Sequence, residues 1–390
     1  MSWRVLTVFG VRPEAIKMAP VVLALQRDQD NFITRVAVTA QHREMLDQVL
    51  ACFGIVPDYD LNIMQPQQSL TEITVRALAG LEGVLQAEQP DLVLVHGDTS
   101  TTFAAALAAF YQQVRIGHVE AGLRTGDKYA PFPEEMNRRL TGALCDLHFA
   151  PTQTAKTNLR REGVPPGQIY VTGNTAIDAL FQVARPDYRF QEQTLAGLPF
   201  DRCRVILVDA HRRENLGRPM VEICRAVAAL PAMAPDVRVV FSVHRNPQVN
   251  EVAHRYLAGR ERIHLLAPLE YPEWANLMAR AHIILTDSGG IQEEAPALGT
   301  PVLLLRETTE RPEAISAGTV QLVGTDYRVI TAAVQRLLTD EVAYRRMAGA
   351  VNPYGDGRAA ERIVAALHYE MGLRPTRPRP FRAIVPQAAK

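Results

Sequence analysis

Short apolar runs alternate with helix-like stretches along most of this chain. Arg4–Phe9 and Asp91–His96 have the length and the branched apolar content of buried strands, and the alanine-rich Thr99–Tyr111 that follows is helix-like. Because parallel strands need long crossover connections, this alternation predicts a parallel sheet with helices on both faces. Further strand-like runs in this half are Thr34–Thr39 and Val114–Val119.

The same alternation restarts after about residue 172. Five more strand-like runs follow, with helical stretches between them: Arg204–Val208, Val237–Val243, Ile263–Leu266, His282–Thr286 and Pro301–Leu305. A chain of 390 residues is also too long for one ordinary core, since domains average roughly 150 residues. The sequence therefore predicts an α/β fold with two Rossmann-like domains, residues 1–172 and 173–356, facing across a ligand-binding cleft.

The last segment, residues 373–390, is rich in proline and arginine and has no periodicity. Such a composition cannot bury enough apolar surface to form a core. We expect this tail to be disordered or draped over the surface.

Charge and cysteine content exclude several classes of protein. The 42 basic and 42 acidic residues balance, which argues against a protein that coats nucleic acid or an anionic membrane. The four cysteines are scattered, with no pair or metal-ligand cluster, as in reduced cytoplasmic proteins. No apolar run reaches the ~18 residues of a membrane helix. We expect a cytoplasmic protein without a metal site.

Two loops have the character of anion-binding sites. Gly10–Lys17 follows the first strand, and Pro13 suits a first helical turn, so Arg12 and Lys17 would add charge at a helix N-terminus. The alternative is two surface cations near a turn. Thr286–Gly290 also follows a strand, and we expect a helix over Ile291–Leu298. Its glycines favour close approach to a diphosphate, and an acid in the first helical turn can bind a ribose.

Three carboxylates occur at or near the ends of predicted strands. Asp98 and Glu120 each follow a strand, and Glu134 follows Pro131 and Pro133, which should interrupt any helix. Acids that converge on one pocket raise one another's pKa values and suit proton transfer. Taken singly, each acid is more often a helix cap or an ion-pair partner.

Two further loops place a histidine and an arginine after a strand. His211-Arg212 follows one strand and His244-Arg245 follows the next. Such a pair favours an anion pocket. No G-x-G-x-x-G motif is present, so a dinucleotide cofactor is not indicated.

Together these segments resemble one family, the non-hydrolysing UDP-N-acetylglucosamine 2-epimerases. The similar segments run in order over almost the whole chain: FGVRPEAIKMAP, VHGDTSTTFAAALAAF, HVEAGLRT, PFPEEMNRR, VTGNTAID, AHRRENLG, HRNP, ILTDSGGIQEEAPALGTPVLLLRETTERPEA, SAGTVQLVGTD and NPYGDGRAAERI. The resemblance implies a fold like that of GT-B glycosyltransferases, with a last helix at about residues 357–372 crossing back to the first domain. It also implies a homodimer.

The resemblance further implies the reaction, the interconversion of UDP-N-acetylglucosamine and UDP-N-acetylmannosamine for cell-envelope polysaccharides. UDP leaves through a 2-acetamidoglucal intermediate and adds back, without a cofactor. The implied catalytic residues are Asp98, Glu120, Glu134 and His211. The implied ligands of the nucleotide sugar are Arg12, Lys17, His244, Trp274, Ser288, Gly289, Gly290, Glu294 and Arg311.

The sequence departs from the family pattern at a few positions. Trp274, expected near the uracil, stands where phenylalanine is more common, and Asp209 replaces a small or hydroxyl residue two positions before His211. Asp209 would raise the pKa of this histidine or orient it. Gln41 and His42 resemble part of an allosteric site, but the arginine that some activated members carry nearby is missing.

Three other functions use similar residues. A hydrolysing epimerase shares the first half-reaction and releases free N-acetylmannosamine. A GT-B glycosyltransferase needs an acceptor groove, and a non-catalytic nucleotide-sugar sensor needs no acids. The four implied catalytic residues argue against the last two functions.

Overall fold

The structure, a computed structural model, describes residues 2–40, 43–65 and 67–383. The chain divides into two compact units. The first contains Met1–Ala179 and Tyr354–Arg382, and the second contains Leu180–Pro353. The division therefore falls within the helix Thr175–Val183, a few residues after the expected position at residue 172.

The first unit contains a seven-stranded parallel sheet in the order β3-β2-β1-β4-β5-β6-β7. Its strands are β1 (Trp3–Phe9), β2 (Phe32–Val38), β3 (Tyr59–Asp60), β4 (Leu92–His96), β5 (Arg115–Val119), β6 (Leu147–Ala150) and β7 (Ile169–Val171). Its helices are α1 (Arg12–Arg27), α2 (Arg43–Phe53), α3 (Leu70–Glu88), α4 (Ser100–Tyr111), α5 (Glu134–Leu144), α6 (Gln153–Arg161) and α7 (Thr175–Val183), which runs on into the second unit.

The second unit contains a six-stranded parallel sheet in the order β10-β9-β8-β11-β12-β13. Its strands are β8 (Arg204–Asp209), β9 (Val237–Ser242), β10 (Ile263–Leu266), β11 (Ile283–Thr286), β12 (Val302–Leu304) and β13 (Val320–Leu322). Its helices are α8 (Gln193–Ala196), α9 (Arg218–Ala229), α10 (Pro247–Leu257), α11 (Tyr271–Arg280), α12 (Gly289–Glu294), α13 (Pro312–Ala317), α14 (Tyr327–Thr339) and α15 (Glu341–Ala348).

Each sheet has its own apolar core. In the first unit, Val93 and Val95 of β4 pack with Leu81 of α3 and Ala105 of α4. The small alanine side chains of α4 let this helix approach the sheet closely. In the second unit, the strand residues of the core are fully buried against α9, α10 and α14. Burial on both faces explains why the central strands are continuous apolar runs.

The strand orders create a switch point in each sheet. In the first unit the chain moves outward from β1 to β3 and then returns to β4 beside β1. In the second unit it moves from β8 to β10 and returns to β11 beside β8. Loops that leave the carboxyl ends of two such neighbouring strands diverge, which opens a crevice for a ligand.

The last helix, α16 (Ala359–Glu370), belongs to the first unit. The backbone N–H groups of Ala359 and Ala360 donate to Asp178 at 3.1 and 2.8 Å. Burial raises the pKa of Asp178 to about 6.

The tail after α16 returns to β7. Phe381 N donates to Val171 O at 2.8 Å, and the guanidinium of Arg377 lies 4.0 Å from the centre of the Tyr170 ring. Residues 377–381 are therefore draped over the first unit rather than disordered.

The structure confirms the predicted α/β class with parallel sheets. Four short strands, β3, β6, β7 and β13, were not predicted. Among the described residues, no helix is both long and apolar enough to cross a membrane.

Candidate active site

The loop after β1 is shaped by a buried acid. Glu14 accepts hydrogen bonds from the backbone N–H groups of Gly10 and the next residue at 2.7 and 3.1 Å, and from the hydroxyl of Thr102 at 2.8 Å. A Cβ on Gly10 would lie 2.0 Å from Thr39 Oγ1, so only glycine fits there. These contacts place the predicted ligand Arg12 at the first turn of α1. No pattern in the sequence singled out Glu14.

Glu120 lies directly after β5 in a left-handed backbone conformation with φ of 65°. A residue with a side chain adopts this region only when surrounding contacts hold it there, and such strain is common at functional sites. The Oε2 atom of Glu120 lies 2.5 Å from Lys17 Nζ and accepts from Asn174 Nδ2 at 2.9 Å. Lys17, which the resemblance assigns to the diphosphate, is thus paired with a predicted catalytic acid.

Asp98 lies two residues after β4 and forms an ion pair with α5. Its Oδ2 atom accepts from Arg138 Nε at 2.9 Å and lies 2.6 Å from the terminal Nη2 of the same side chain. Burial raises the pKa of Asp98, Arg138 lowers it, and the negative charge of Glu120 raises it. The structure therefore brings Asp98 and Glu120 close enough for each charge to affect the other.

Two histidines lie beside these acids. His96, at the end of β4, has Nε2 3.8 Å from Glu120 Oε2, and burial lowers its pKa to about 4. His118 is also buried, with a pKa lowered to about 3, and its Nε2 lies 2.7 Å from Gly97 O. Both rings are uncharged at neutral pH, so Lys17 and Arg138 supply the positive charge near the acids.

Glu134 is the first residue of α5, so the prediction that prolines interrupt any helix there was wrong. Pro133 precedes the helix, where a missing N–H costs nothing. The neighbouring Glu135 is fully buried, accepts from Thr125 N and Gly126 N at 3.0 and 3.2 Å, and lies 3.3 Å from Arg138. The three-residue spacing of Glu135 and Arg138 on a helix was the signal for this pair.

In the second unit, a buried aspartate organises the loop after β8. Asp287 follows β11, and its carboxylate accepts from His211 N at 2.9 Å, Arg212 N at 2.9 Å and Asn215 Nδ2 at 2.8 Å. Because the side chain is fully buried, these bonds compensate for the loss of water. Asp287 thus fixes the position of the backbone that carries His211.

His211 and His244 stack on each other across the ends of β8 and β9. Their ring centroids are 5.1 Å apart with an angle of 18° between the planes. Asp209, whose Oδ1 lies 3.4 Å from His211 Nδ1, raises the pKa of His211. Burial and the neighbouring His211 lower the pKa of His244. The pKa values of the two stacked imidazoles are therefore shifted in opposite directions.

The Ser288–Gly290 loop leads into α12, which starts at Gly289 and ends at Glu294. The predicted helix Ile291–Leu298 is thus two pieces, since Ala295–Leu298 forms a 3₁₀ turn. A Cβ on Gly289 would lie 2.5 Å from Arg311 Nη1, so the glycine makes room for the guanidinium.

Arg311 is held by two carboxylates. Its Nε lies 2.6 Å from Glu293 Oε1, and its Nη1 lies 2.5 Å from Glu310 Oε1.

The ribose ligand implied by the resemblance, Glu294, is half-buried at the end of α12. Trp274 is half-buried on α11. Gln41 and His42 lie outside the described residues.

One group in the described part of the chain has the spacing of metal ligands. Asp209, His211 and Asp287 bring ligand atoms within 4.8 Å of one another. However, both oxygens of Asp287 already accept N–H donors. Asp287 is therefore better described as the residue that holds the loop in place than as a metal ligand.

The two parallel sheets, each with polar loops at its switch point, define the class of the protein as a tandem Rossmann-like fold of the GT-B type. A glycosyltransferase of kitacinnamycin has this fold: it is 13% identical, aligns with a TM-score of 0.59, and covers 93% of this chain and 99% of its own. At this identity the likeness shows the fold alone.

The family model of UDP-N-acetylglucosamine 2-epimerase matches residues 24–368, and the chain belongs to this family. The UDP-N-acetylglucosamine 2-epimerase of Bacillus subtilis is 54% identical over 380 residues, 97% of this chain and 98% of that protein. That of Escherichia coli K12 is 57% identical over 371 residues, 93% and 98% of the two chains. The crystal structure of the Neisseria meningitidis enzyme bound to UDP-GlcNAc is 50% identical, covers 94% and 100% of the two chains, and has a TM-score of 0.84.

Proposed function

We propose that this chain interconverts UDP-N-acetylglucosamine and UDP-N-acetylmannosamine without hydrolysing them. One observation carries the proposal: Asp98 and Glu120, at the ends of neighbouring strands, are two half-buried acids with Arg138 and Lys17 as counter-charges. The relatives named as epimerases, and the Neisseria meningitidis structure with bound UDP-GlcNAc, support the choice of substrate.

The chemistry explains why such a pair is needed. The C2 hydrogen of the sugar is weakly acidic, so its removal must accompany departure of a stabilised leaving group. A carboxylate takes the C2 proton, the bond between C1 and the phosphate oxygen breaks, and a C1–C2 double bond forms. The products are 2-acetamidoglucal and UDP. Return of UDP to C1, with a proton delivered to the opposite face of C2, gives the epimer.

Two proton-handling groups are therefore required, one for each face of C2. Asp98, Glu120 and Glu134 are the candidates, with His211 as the fourth member of the catalytic group. The uneven environments of Asp98 and Glu120 suit two such roles, because one carboxylate faces an arginine and the other a lysine and an amide. Which acid serves which face is a question for the variants below.

The cationic residues of the second unit would hold the nucleotide. We assign the diphosphate to His211, His244, Arg311 and the Ser288–Gly290 loop, and we propose that Arg12 is a further ligand of the nucleotide sugar. Glu294 would bind the ribose and Trp274 would lie near the uracil. We further propose a cytoplasmic homodimer that needs no cofactor and supplies cell-envelope polysaccharide synthesis.

Turnover in heavy water tests the reaction. The incoming proton comes from a carboxylic acid or an imidazole that exchanges with solvent, so UDP-N-acetylmannosamine should carry deuterium at C2. Mass spectrometry of the product detects this label. Product without deuterium would refute elimination and re-addition. Free N-acetylmannosamine with UDP as the final products would instead identify a hydrolysing enzyme.

Conservative variants test the residues. Asp98→Asn, Glu120→Gln and Glu134→Gln keep the shape but remove proton transfer, and each true acid or base should lose on the order of 10²–10⁴ in turnover. The exposed Glu82→Gln on α3 is the matched control and should keep the wild-type rate. Wild-type rates in all three site variants would contradict the assignment.

Calorimetry tests the nucleotide contacts. Arg12→Ala and Glu294→Ala should each weaken UDP binding by ~1.5–3 kcal/mol, the contribution of a charge-assisted hydrogen bond.

Dialysis tests the need for a metal or a cofactor. Activity should survive dialysis against a chelator without added NAD. A requirement for a divalent ion after chelation would show that the reaction uses a metal.

A further inference from the structure

Asp209 occupies a position where the family resemblance leads us to expect a small or hydroxyl residue. It ends β8, two residues before His211. Its Oδ1 lies 3.4 Å from His211 Nδ1, and its Oδ2 lies 3.4 Å from Thr286 Oγ1 on the neighbouring β11. The carboxylate therefore contacts the neighbouring strand β11 and the imidazole in the loop after β8.

The other charges around His211 come from three elements. Asp287, after β11, has Oδ1 3.7 Å from His211 Nδ1, but its oxygens are engaged by the backbone of the loop. Arg212, next in the chain, opposes a positive charge on the ring, and His244, after β9, stacks on its face. Asp209 is thus the nearer of the two carboxylates and the one that does not hold the loop backbone.

We propose that Asp209 is a positioning residue that keeps the proton on Nδ1 of His211 and holds the imidazole charged, so that Nε2 can donate to the departing diphosphate of the substrate. This inference rests on the proposed function for the identity of the leaving group. The contact between Asp209 and His211 can be tested independently of that function.

A charged imidazole at position 211 would stabilise the leaving group. When the bond between C1 and oxygen breaks, negative charge grows on the phosphate oxygen, and a donor that is already positioned and positive stabilises it. A carboxylate on the opposite ring nitrogen fixes the tautomer and orientation of a histidine and favours its charged form. A threonine at position 209 could fill the space without supplying the charge.

The sign of the pH dependence follows from this arrangement. Asp209 and, more weakly, Asp287 raise the pKa of His211, whereas burial and Arg212 lower it. Removal of the Asp209 carboxylate leaves Asp287 alone against burial and Arg212, so His211 would lose its proton at a lower pH than in the wild type. If the charged form assists departure of UDP, the alkaline limb of the pH profile of kcat moves to lower pH.

The experiment compares Asp209→Asn, Asp209→Thr and the wild type. Asparagine keeps the size and an acceptor oxygen but removes the charge, and threonine is closer to the residue expected from the family. Asp236→Asn is the control, because Asp236 pairs with Arg204 at the opposite end of β8, at 2.7 and 2.9 Å. Proton NMR follows the titration of the His211 ring, assigned with His211→Gln, in full-length protein without ligand.

We expect the pKa of His211 to fall by about one unit or more in both Asp209 variants and to stay unchanged in the control. The alkaline limb of kcat for UDP-N-acetylglucosamine turnover should move in the same direction. An unchanged His211 titration in the Asp209 variants, or an unchanged alkaline limb despite a shifted titration, overturns the positioning role. Wild-type protein that does not epimerise the substrate refutes the proposed function, and the ring titration then still decides whether Asp209 controls His211.

Discussion

Replacement of Arg138 by methionine should change the pH dependence of turnover more than it changes the fold. The methionine keeps most of the length of the side chain but removes the two contacts with Asp98 Oδ2, at 2.9 and 2.6 Å, and the 3.3 Å contact with Glu135, which keeps the hydrogen bonds from Thr125 N and Gly126 N. Asp98 is then left beside Glu120 without its arginine. Burial and the second acid already raise its pKa, so the loss of the counter-charge raises it further.

The rise in the pKa of Asp98 depends on the strength of its interaction with Arg138. Two unit charges 4 Å apart interact with about 4 kcal/mol at an effective dielectric constant of about 20. The side chains of Arg138 and Asp98 are 15% and 24% exposed, so water screens part of this interaction. A remainder of about 1.5–3 kcal/mol corresponds to roughly one to two pKa units.

The assay is the pH profile of kcat. If Asp98 acts as the base, the acid limb moves up by this amount, because the carboxylate stays protonated to higher pH. If Asp98 acts as the acid, the alkaline limb moves up instead. The limb that moves therefore also identifies the role of Asp98.

Two further variants separate charge from structure. Arg138→Lys keeps the charge and should shift the profile less. Arg139→Met, on the same helix, removes only a 3.5 Å contact with Glu135 and should leave the profile unchanged. Equal shifts in Arg138→Met and Arg139→Met, or a lower kcat with both limbs in place, would refute the reasoning.

Two other predictions concern the second nucleotide loop and the last helix. Gly289→Ala should weaken UDP binding, because its Cβ would meet Arg311 Nη1 at 2.5 Å, whereas Gly83→Ala on α3, with no atom within 4 Å of the new Cβ, should bind UDP as the wild type does; equal affinities of the two variants by calorimetry would contradict this. Asp178→Ala should lower the local stability of the N-terminus of α16 by ~1–2 kcal/mol, since two backbone N–H groups lose their acceptor. Hydrogen exchange measures this loss, and unchanged protection at Ala359 would argue against it.

The sequence predicted most strands because they are short segments rich in apolar and β-branched residues between polar loops. Two of the four strands that escaped prediction, β3 and β13, did so for a physical reason. β3 has only two residues, and two of the three residues of β13 are exposed, so neither shows a buried pattern. The start of α5 was misread because Pro133 lies just before the first turn, where proline is compatible with a helix.

The positions of the candidate site residues could be predicted, because most of them come directly after a predicted strand. Their hydrogen-bond and ion-pair partners could not be predicted. Lys17 and Glu120 are separated by 103 residues and meet only because β1 and β5 belong to one sheet. Asp98 and Arg138 likewise meet across two elements. No periodicity encodes such a contact, since it depends on sheet order and on the rotamers of long side chains.

The same strand order serves different chemistry in the two units. In the first unit the loops at the switch point carry acids, and cations such as Lys17 and Arg138 neutralise them. In the second unit the corresponding loops carry His211 and His244, and an acid, Asp287, holds the backbone of the His211 loop in place. Under the proposed function, proton transfer is assigned to the acids of the first unit, and the binding of UDP chiefly to the second. Variants of the first set should slow deuterium incorporation while UDP affinity is kept, whereas variants of the second set should weaken UDP binding first.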